Sequence, residues 1–188
     1  MWNQKALFGA MSLDMLAVLF GGAVAILPVF AKDILAVGPQ SFGLLMSATY
    51  AGNFLAILFL TKFPLKGSQG FKLIYSIAGF GVCMIVFALS ESFILSLVAL
   101  FVSGLFDGVS VIIRGTIFQI LVPDQLRGRV SSVSSIFINS SNELGQFESG
   151  VAAAAMGTVP SVVFGGCMTL LVSSIAYFKI PALKNLKY

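Results

Sequence analysis

Histidine is absent from this chain, and charge of either sign is scarce: Asp, Glu, Lys and Arg make up only 10% of the 188 residues. The first absence excludes metal sites and proton relays built on imidazole. The second excludes an ordinary soluble domain, in which roughly a quarter of residues are charged. Cysteine is nearly missing too. Cys83 and Cys167 each fall inside an apolar run and read as small core residues, not as a disulfide or metal pair. No Ser/His, metal-ligand or phosphate-loop constellation is present, which argues against an enzyme, and no ring-forming pore motif marks a channel. Neither a metal nor a cofactor is expected. What abounds is apolar surface: 58% of the residues are hydrophobic and mean hydropathy is +1.01. Such a chain is expected to have the lipid bilayer as its solvent.

A bilayer core takes about 20 largely apolar residues per helix, and on that ruler the chain divides into six spans. They run from Met11 to Ala31, Ser41 to Leu60, Phe71 to Ser90, Ser92 to Val122, Val130 to Gly157 and Pro160 to Phe178, with a lysine-bearing tail over 179–188. The expected fold is therefore an all-α integral membrane protein, one six-helix domain over 1–188 with no soluble part. The first run is too long for a cleaved signal peptide, contains Asp14 and is followed by more spans.

Six spans put both termini, the second–third connection and the fourth–fifth connection on one side. That side holds Lys5, Lys62, Lys66, Lys72, Arg127, Arg129, Lys179, Lys184 and Lys187; the other holds Lys32 alone. Nine basic residues against one is a strong positive-inside bias, so both termini are expected in the cytoplasm. The net charge of +4 then marks a membrane face and needs no nucleic-acid partner.

An internal repeat is legible. Residues 19–28 read "LFGGAVAILP" and residues 105–114 read "LFDGVSVIIR"; downstream, "VGPQSFG" (37–43) matches "VPDQLRG" (122–128). The first helix runs outward and the fourth inward, so the units 11–90 and 92–178 are expected to be inverted three-helix copies, a transporter signature. Apolar segments share a small alphabet, and chance similarity is the alternative.

Charges inside the spans each cost about 2.5–3.5 kcal/mol at a helix centre, so each needs a partner, water or a role. Asp107 and Arg114 are seven residues apart, on one helix face and about 10 Å apart along the axis. That is too far for a direct salt bridge. Asp14 enters at a depth similar to that of Arg114, and an Asp14–Arg114 pair across the bundle is expected, either working in a pathway or only fixing the packing.

The stretch "SSNELGQFESG" (140–150) is the most polar inside any span. Only Gly145 weakens it as a helix, so it is expected to be part of the fifth. At 1.5 Å per residue from Val130, Glu143 lies about 20 Å and Glu148 about 27 Å into a core about 30 Å thick. Ser135, Asn139, Asn142, Gln146 and Ser149 step by four and three and form one polar stripe. Glu143 flanks it, whereas Glu148 aligns with Ser141 and Gly145, so the glutamates are not a same-face acid pair. A polar stripe does not face lipid; it faces a cavity, another domain, or helices joined by Asn and Gln hydrogen bonds.

The runs "LDMLAVLFGGAVAILPVFAKDIL" and "LVPDQLRGRVSSVSSIFINSSNELGQFESG" resemble the C-terminal half of major facilitator superfamily transporters, closest to the bacterial enterobactin-exporter-like group. The similarity covers essentially the whole chain. It implies helices seven to twelve of a twelve-helix fold, in a bacterial cytoplasmic membrane, and proton-coupled export of a small siderophore-like or drug-like molecule. By the resemblance Asp14, Asp107 and Arg114 stand on the wall of the central pathway, and the helices with Asn53 and the polar stripe contact an N-terminal six-helix half. Arg127 and Arg129 in "PDQLRGR" are placed as gate cations, with Asp124 or the dipole of the preceding helix as partner; the alternative is that they only mark topology. The loop "LTKFPLKGSQGFK" departs from the family's Gly-Asp-Arg-rich pattern.

Asp107, Glu143 and Asp14 are thus the expected proton carriers. Arg114, Asn139, Asn142, Gln146 and Asn53 are the expected pathway residues, and Asp124, Arg127, Arg129 and Glu148 the expected gate residues. Six helices offer only one wall of an alternating-access pathway, so the partner half is expected from the same gene product, a separate chain or a second copy. The opening "MWNQKALFGAM" carries no long linker, which favours a fragment or truncated reading frame. The competing class is a non-transporting scaffold or subunit that uses the stripe for assembly.

Overall fold

The computed structural model describes residues 12, 15, 16, 19–21, 25–63 and 67–179. Among these there is no β-strand. The helices are α1 (Leu27–Asp33), α2 (Pro39–Lys62), α3 (Gln69–Ala88), α4 (Phe93–Leu121), α5 (Arg127–Met156) and α6 (Thr158–Lys179), and a 3-10 turn at Asp124–Leu126 precedes α5. The last five match the expected spans to within three residues at each end. α2, α3, α4 and α6 are long and apolar enough to cross a membrane. α5, at 30 residues about 45 Å long, has the length and is too polar to join them.

The first span departs from expectation. Ser12, Met15, Leu16, Leu19 and Phe20 are helical, but instead of one uninterrupted helix to Ala31, Gly21 lies in a turn, Ala25 is in 3-10 conformation, Ile26 is in a turn, and a short helix restarts at Leu27 with Pro28 in its first turn. Proline has no N–H to donate and clashes with the carbonyl four residues back, so it is accommodated where a helix begins.

Two apolar clusters hold the bundle at opposite ends. In the first, Phe30 and Phe87 are buried with ring centroids 4.3 Å apart, packed with Leu45, Met84 and Leu100. In the second, Leu73, Ile74 and Ile77 of α3 meet Ile113 and Ile117 of α4 and Ala176 of α6. α3 therefore sits between α4 and α6, while α2 lies along α4. Several buried hydroxyls donate to helix carbonyls: Ser103 Oγ donates to Leu100 O at 2.7 Å, and Ser173 Oγ crosses from α6 to Ile74 O of α3 at 3.0 Å. The periphery is apolar. Tyr50, Phe54, Phe59, Tyr75, Ile94 and Phe178 are each more than 60% exposed, a surface suited to lipid and not to water.

The α2–α4 contact is backbone to backbone. A Cβ on Gly52 would collide with the carbonyl oxygen of Phe101, and one on Gly104 with that of Thr49; on Gly108 it would lie 2.7 Å from both Ala56 Cβ and Asn53 O. Gly104 and Gly108 form a GxxxG pair, the spacing that lets membrane helices approach closely.

A single residue, Gly157, joins α5 to α6, at φ 93° and ψ 162°. That conformation is essentially restricted to glycine and costs other residues about 1–3 kcal/mol. Gly157→Ala is accordingly expected to lower stability by about that amount, read as a lower unfolding midpoint in detergent; an unchanged midpoint would mean the α5–α6 corner tolerates another path.

Candidate functional site

Along α4, Ser103, Asp107, Ser110 and Arg114 succeed one another at helical spacing and share one face. Asp107 and Arg114 are half-buried. Asp107 is held from the neighbouring helix: Asn53 Nδ2 of α2 donates to its Oδ2 at 2.5 Å. The bond forms where the glycines bring the backbones together, with Gly52 beside Asn53 and Gly104 and Gly108 flanking Asp107. Between Asp107 and Arg114, Ser110 Oγ is buried with no hydrogen-bond partner among the described residues. An orphaned buried hydroxyl costs about 1–3 kcal/mol, so the helix face concentrates polar groups that packing alone does not require. Arg114 Nε donates to Ser110 O at 3.3 Å, a turn back along its own helix.

Below Arg114 a cavity of about 950 Å³ opens between the second half of α4 and the start of α5. Arg114, Gly115, Phe118 and Gln119 line one wall; Arg127, Ser131, Ser134, Ser135, Phe137 and Ile138 line the other, and Met15 of the first segment reaches it. At its rim Arg127 engages both partners the sequence offers it. Its Nη1 lies 2.9 Å from Asp124 Oδ1, and its Nη2 donates to Gln119 O at 2.8 Å, one of the last carbonyls of α4. Those carbonyls have no partner inside the helix, and a guanidinium beside them also complements the dipole. Arg129 is exposed on the first turn of α5.

The stretch 140–150 is helical throughout, which excludes a loop. α5 packs mainly on α6, and its buried seam is Ser134, Ser141, Gly145 and Ser149. Ser161 Oγ of α6 closes that seam by donating to Ser149 O at 3.3 Å. Ser135, Asn139, Asn142 and Gln146 are exposed on a face about a quarter-turn from it, and Glu143 is exposed on the side opposite α6. Glu148 is half-buried beside the seam. A third face carries Val133, Ile136, Leu144, Phe147 and Val151, all exposed. Asp14 lies outside the described residues, as do Lys5, Lys66, Lys184 and Lys187 of the topology count.

The structure thus brings together two residues that the spacing arguments left apart, Asn53 and Asp107, 54 positions distant in sequence. The available signal was the small residue adjoining each: Gly52 on one helix, and the Gly104/Gly108 pair around Asp107 on the other. Among the described residues no group of three His, Cys, Asp or Glu side chains could hold a metal ion.

Four helices long and apolar enough to cross a membrane, with Asp107 and Arg114 on one of them and a cavity at the end of that row, are the features of a multi-pass membrane protein. The chain belongs to the transmembrane secretion effector family, which it matches over residues 6–187. That family is of the major facilitator type and accounts for a membrane location, a transport role and a small-molecule substrate. No curated relative matches the chain.

Proposed function

We propose that the chain is one half of a secondary exporter, moving a small siderophore-like or drug-like molecule outward by alternating access, coupled to inward proton flow. In this reading it supplies six spans in two inverted three-helix units, the C-terminal half of a twelve-helix fold, with both termini on the cytoplasmic side of a bacterial inner membrane. The observation that carries it is Asp107: a carboxylate on an otherwise apolar crossing helix, held by Asn53 and followed by Arg114 at the mouth of a large cavity. An intramembrane acid with a polar neighbour and access to a cavity is the form that proton relays take in transporters. Asp14, in the same inner region by sequence, is kept as a second carrier or as the partner of Arg114.

The exposed polar face of α5 supports a partner half. Asn139, Asn142 and Gln146 have no place against lipid, and six helices leave the pathway open on one side. Arg127, Asp124 and Arg129 would close the inner gate by releasing and remaking the ties to the end of α4, and Glu148 would serve the outer gate.

Inverted vesicles from cells expressing the chain, energised with a pH gradient, test this with a panel of catecholate siderophores and amphipathic dyes. Chain-dependent, substrate-dependent proton release is expected. Its absence for every compound, with a stable co-purifying membrane partner, would favour the scaffold role instead. Glu143→Gln in the same assay is expected to reduce release several-fold with membrane insertion unchanged; full release would remove Glu143 from the coupling path.

A further inference from the structure

Helices α2, α3, α4 and α6 carry a single carboxylate between them, Asp107, and it stands among oxygens. Asn53 Nδ2 donates to its Oδ2, which brings the amide oxygen of Asn53 to the same contact and leaves the second carboxylate oxygen to other partners. Ser110, one turn further along α4, is only 4% exposed, and its Oγ has no hydrogen-bond partner among the described residues. A hydroxyl on this helix can turn back to the preceding turn, as Thr116 Oγ1 does to Ile112 O at 2.8 Å; that of Ser110 does not. Arg114 reaches Ser110 through its carbonyl and leaves the hydroxyl alone. One turn before Asp107, Ser103 is fully buried; its Oγ donates to Leu100 O at 2.7 Å and retains lone pairs as an acceptor. Ser103, Asp107 and Ser110 fall at i, i+4 and i+7, on one helix face.

Carboxylate, carbonyl and hydroxyl oxygens are ligands for hard cations. The charge on the ion follows from the acid count. Divalent sites draw on several carboxylates or keep bound waters, and no trio of acidic side chains is present among the described residues. Arg114, about 10 Å further along the axis, disfavours a second positive charge as well. Size agrees with sodium. Side chains three apart on a helix have Cβ atoms about 5–6 Å apart. An ion bridging two oxygens at about 2.3–2.6 Å, the calcium range that sodium shares, spans a similar gap. We propose that Asp107, Ser110 and the amide oxygen of Asn53 bind one sodium ion, with Ser103 at the edge of the shell. Sodium then competes for the carboxylate that the exporter reading gives to the proton. That the ion drives transport rests on that reading; that it binds does not.

The purified full chain is reconstituted in nanodiscs of phosphatidylcholine, without any gradient, and its unfolding midpoint is followed as sodium chloride replaces choline chloride at constant ionic strength. Binding of radioactive sodium is counted in parallel. An ion that binds only the folded chain raises the midpoint with concentration, so a rise in sodium but not in choline is expected, with potassium at least about tenfold weaker. Asp107→Asn is expected to abolish both sodium signals. Ser110→Ala removes an oxygen that bonds to nothing among the described residues, so its midpoint in choline is expected to be unchanged or higher. Its sodium affinity is expected to fall about tenfold or more, whereas Ser110→Thr, which keeps the hydroxyl, retains most of it. A purely structural serine would shift the choline midpoint instead. Helical content and a single elution peak establish that each variant is folded. Equal midpoints in sodium and choline for the parent chain, equal binding of potassium, or undiminished sodium affinity in Asp107→Asn or Ser110→Ala would overturn the proposal. The exporter reading is tested apart from it, by proton release from vesicles held in choline alone. Sodium binding without such release would sink proton-coupled export and leave the ion site standing, and the reverse result would do the opposite.

Discussion

Asp107→Asn is expected to reduce gradient-driven export to the level of membranes lacking the chain, while the protein still inserts and folds. The asparagine side chain keeps an oxygen where Asn53 Nδ2 donates to Asp107 Oδ2, so the tie between α2 and α4 survives as a neutral hydrogen bond. The stability cost is the difference between a charge-assisted bond, about 1.5–3 kcal/mol, and a neutral one, about 0.5–1.5 kcal/mol. What is removed is the ability to carry a proton. Asp107→Glu, which restores an acid displaced by one methylene, is expected to recover part of the activity. The measurement is pH-gradient dissipation in inverted vesicles beside an unfolding midpoint for each variant. Export that persists in folded Asp107→Asn would take the proton away from this residue and leave Asp14 or Glu143 to carry it. A variant that fails to insert would show instead that the Asn53–Asp107 bond is structural.

The second large effect concerns the contact that makes that bond possible. Gly104→Ala places a methyl group against the carbonyl oxygen of Thr49, and a backbone atom does not swing aside as a flexible side chain does. The helices must separate. Overpacking of this kind costs about 1–3 kcal/mol, occasionally more, and separation also stretches the Asn53–Asp107 bond. The control is Gly150→Ala on α5, where a Cβ meets nothing within 4 Å. There alanine is expected to be neutral, or to stabilise by about 0.5–1 kcal/mol through helix propensity. Unfolding in mixed micelles should therefore come at clearly lower denaturant for Gly104→Ala and at the same or higher denaturant for Gly150→Ala. Equal midpoints would mean that α2 and α4 are held by their apolar flanks and not by the close backbone approach.

Much of the fold was legible because the bilayer imposes a one-dimensional rule. Stretches of about 20 apolar residues must be helices, since lipid offers no partner for a free N–H or C=O, and the breaks at Pro123 and Gly157 mark where they stop. The polar stretch 140–150 could be read as helix for the same reason: nothing in it breaks one. The interruption at Gly21 and the restart at Leu27 were not legible in the first span, because its composition is apolar to the end while Gly21 and Pro28 act on backbone geometry that a count of apolar residues does not register.

The site was only half legible. Asp107 and Arg114 declared themselves by their cost in an apolar run, and Arg127 by the family resemblance of the "PDQLRGR" segment that carries it. Four members of the stripe on α5 do share an exposed face, but Ser149, expected on it, is buried in the seam with α6, because periodicity gives only the angle between faces and never what lies opposite. Which face meets α6 was decided by Ser134, Ser141, Gly145 and Ser149, whose small side chains allow close packing and leave Asn139, Asn142 and Gln146 outward.

The sequence by itself determined the solvent, where the long helices of residues 39–179 begin and end, and which residues are too expensive to be there without cause, because those follow from transfer energies summed along the chain. The tertiary structure alone decided that Asn53 belongs to Asp107 and that two arginines on different helices share a cavity. Both depend on how closely and at what rotation two helices meet, and that is set by glycine and serine contacts between segments far apart in the chain.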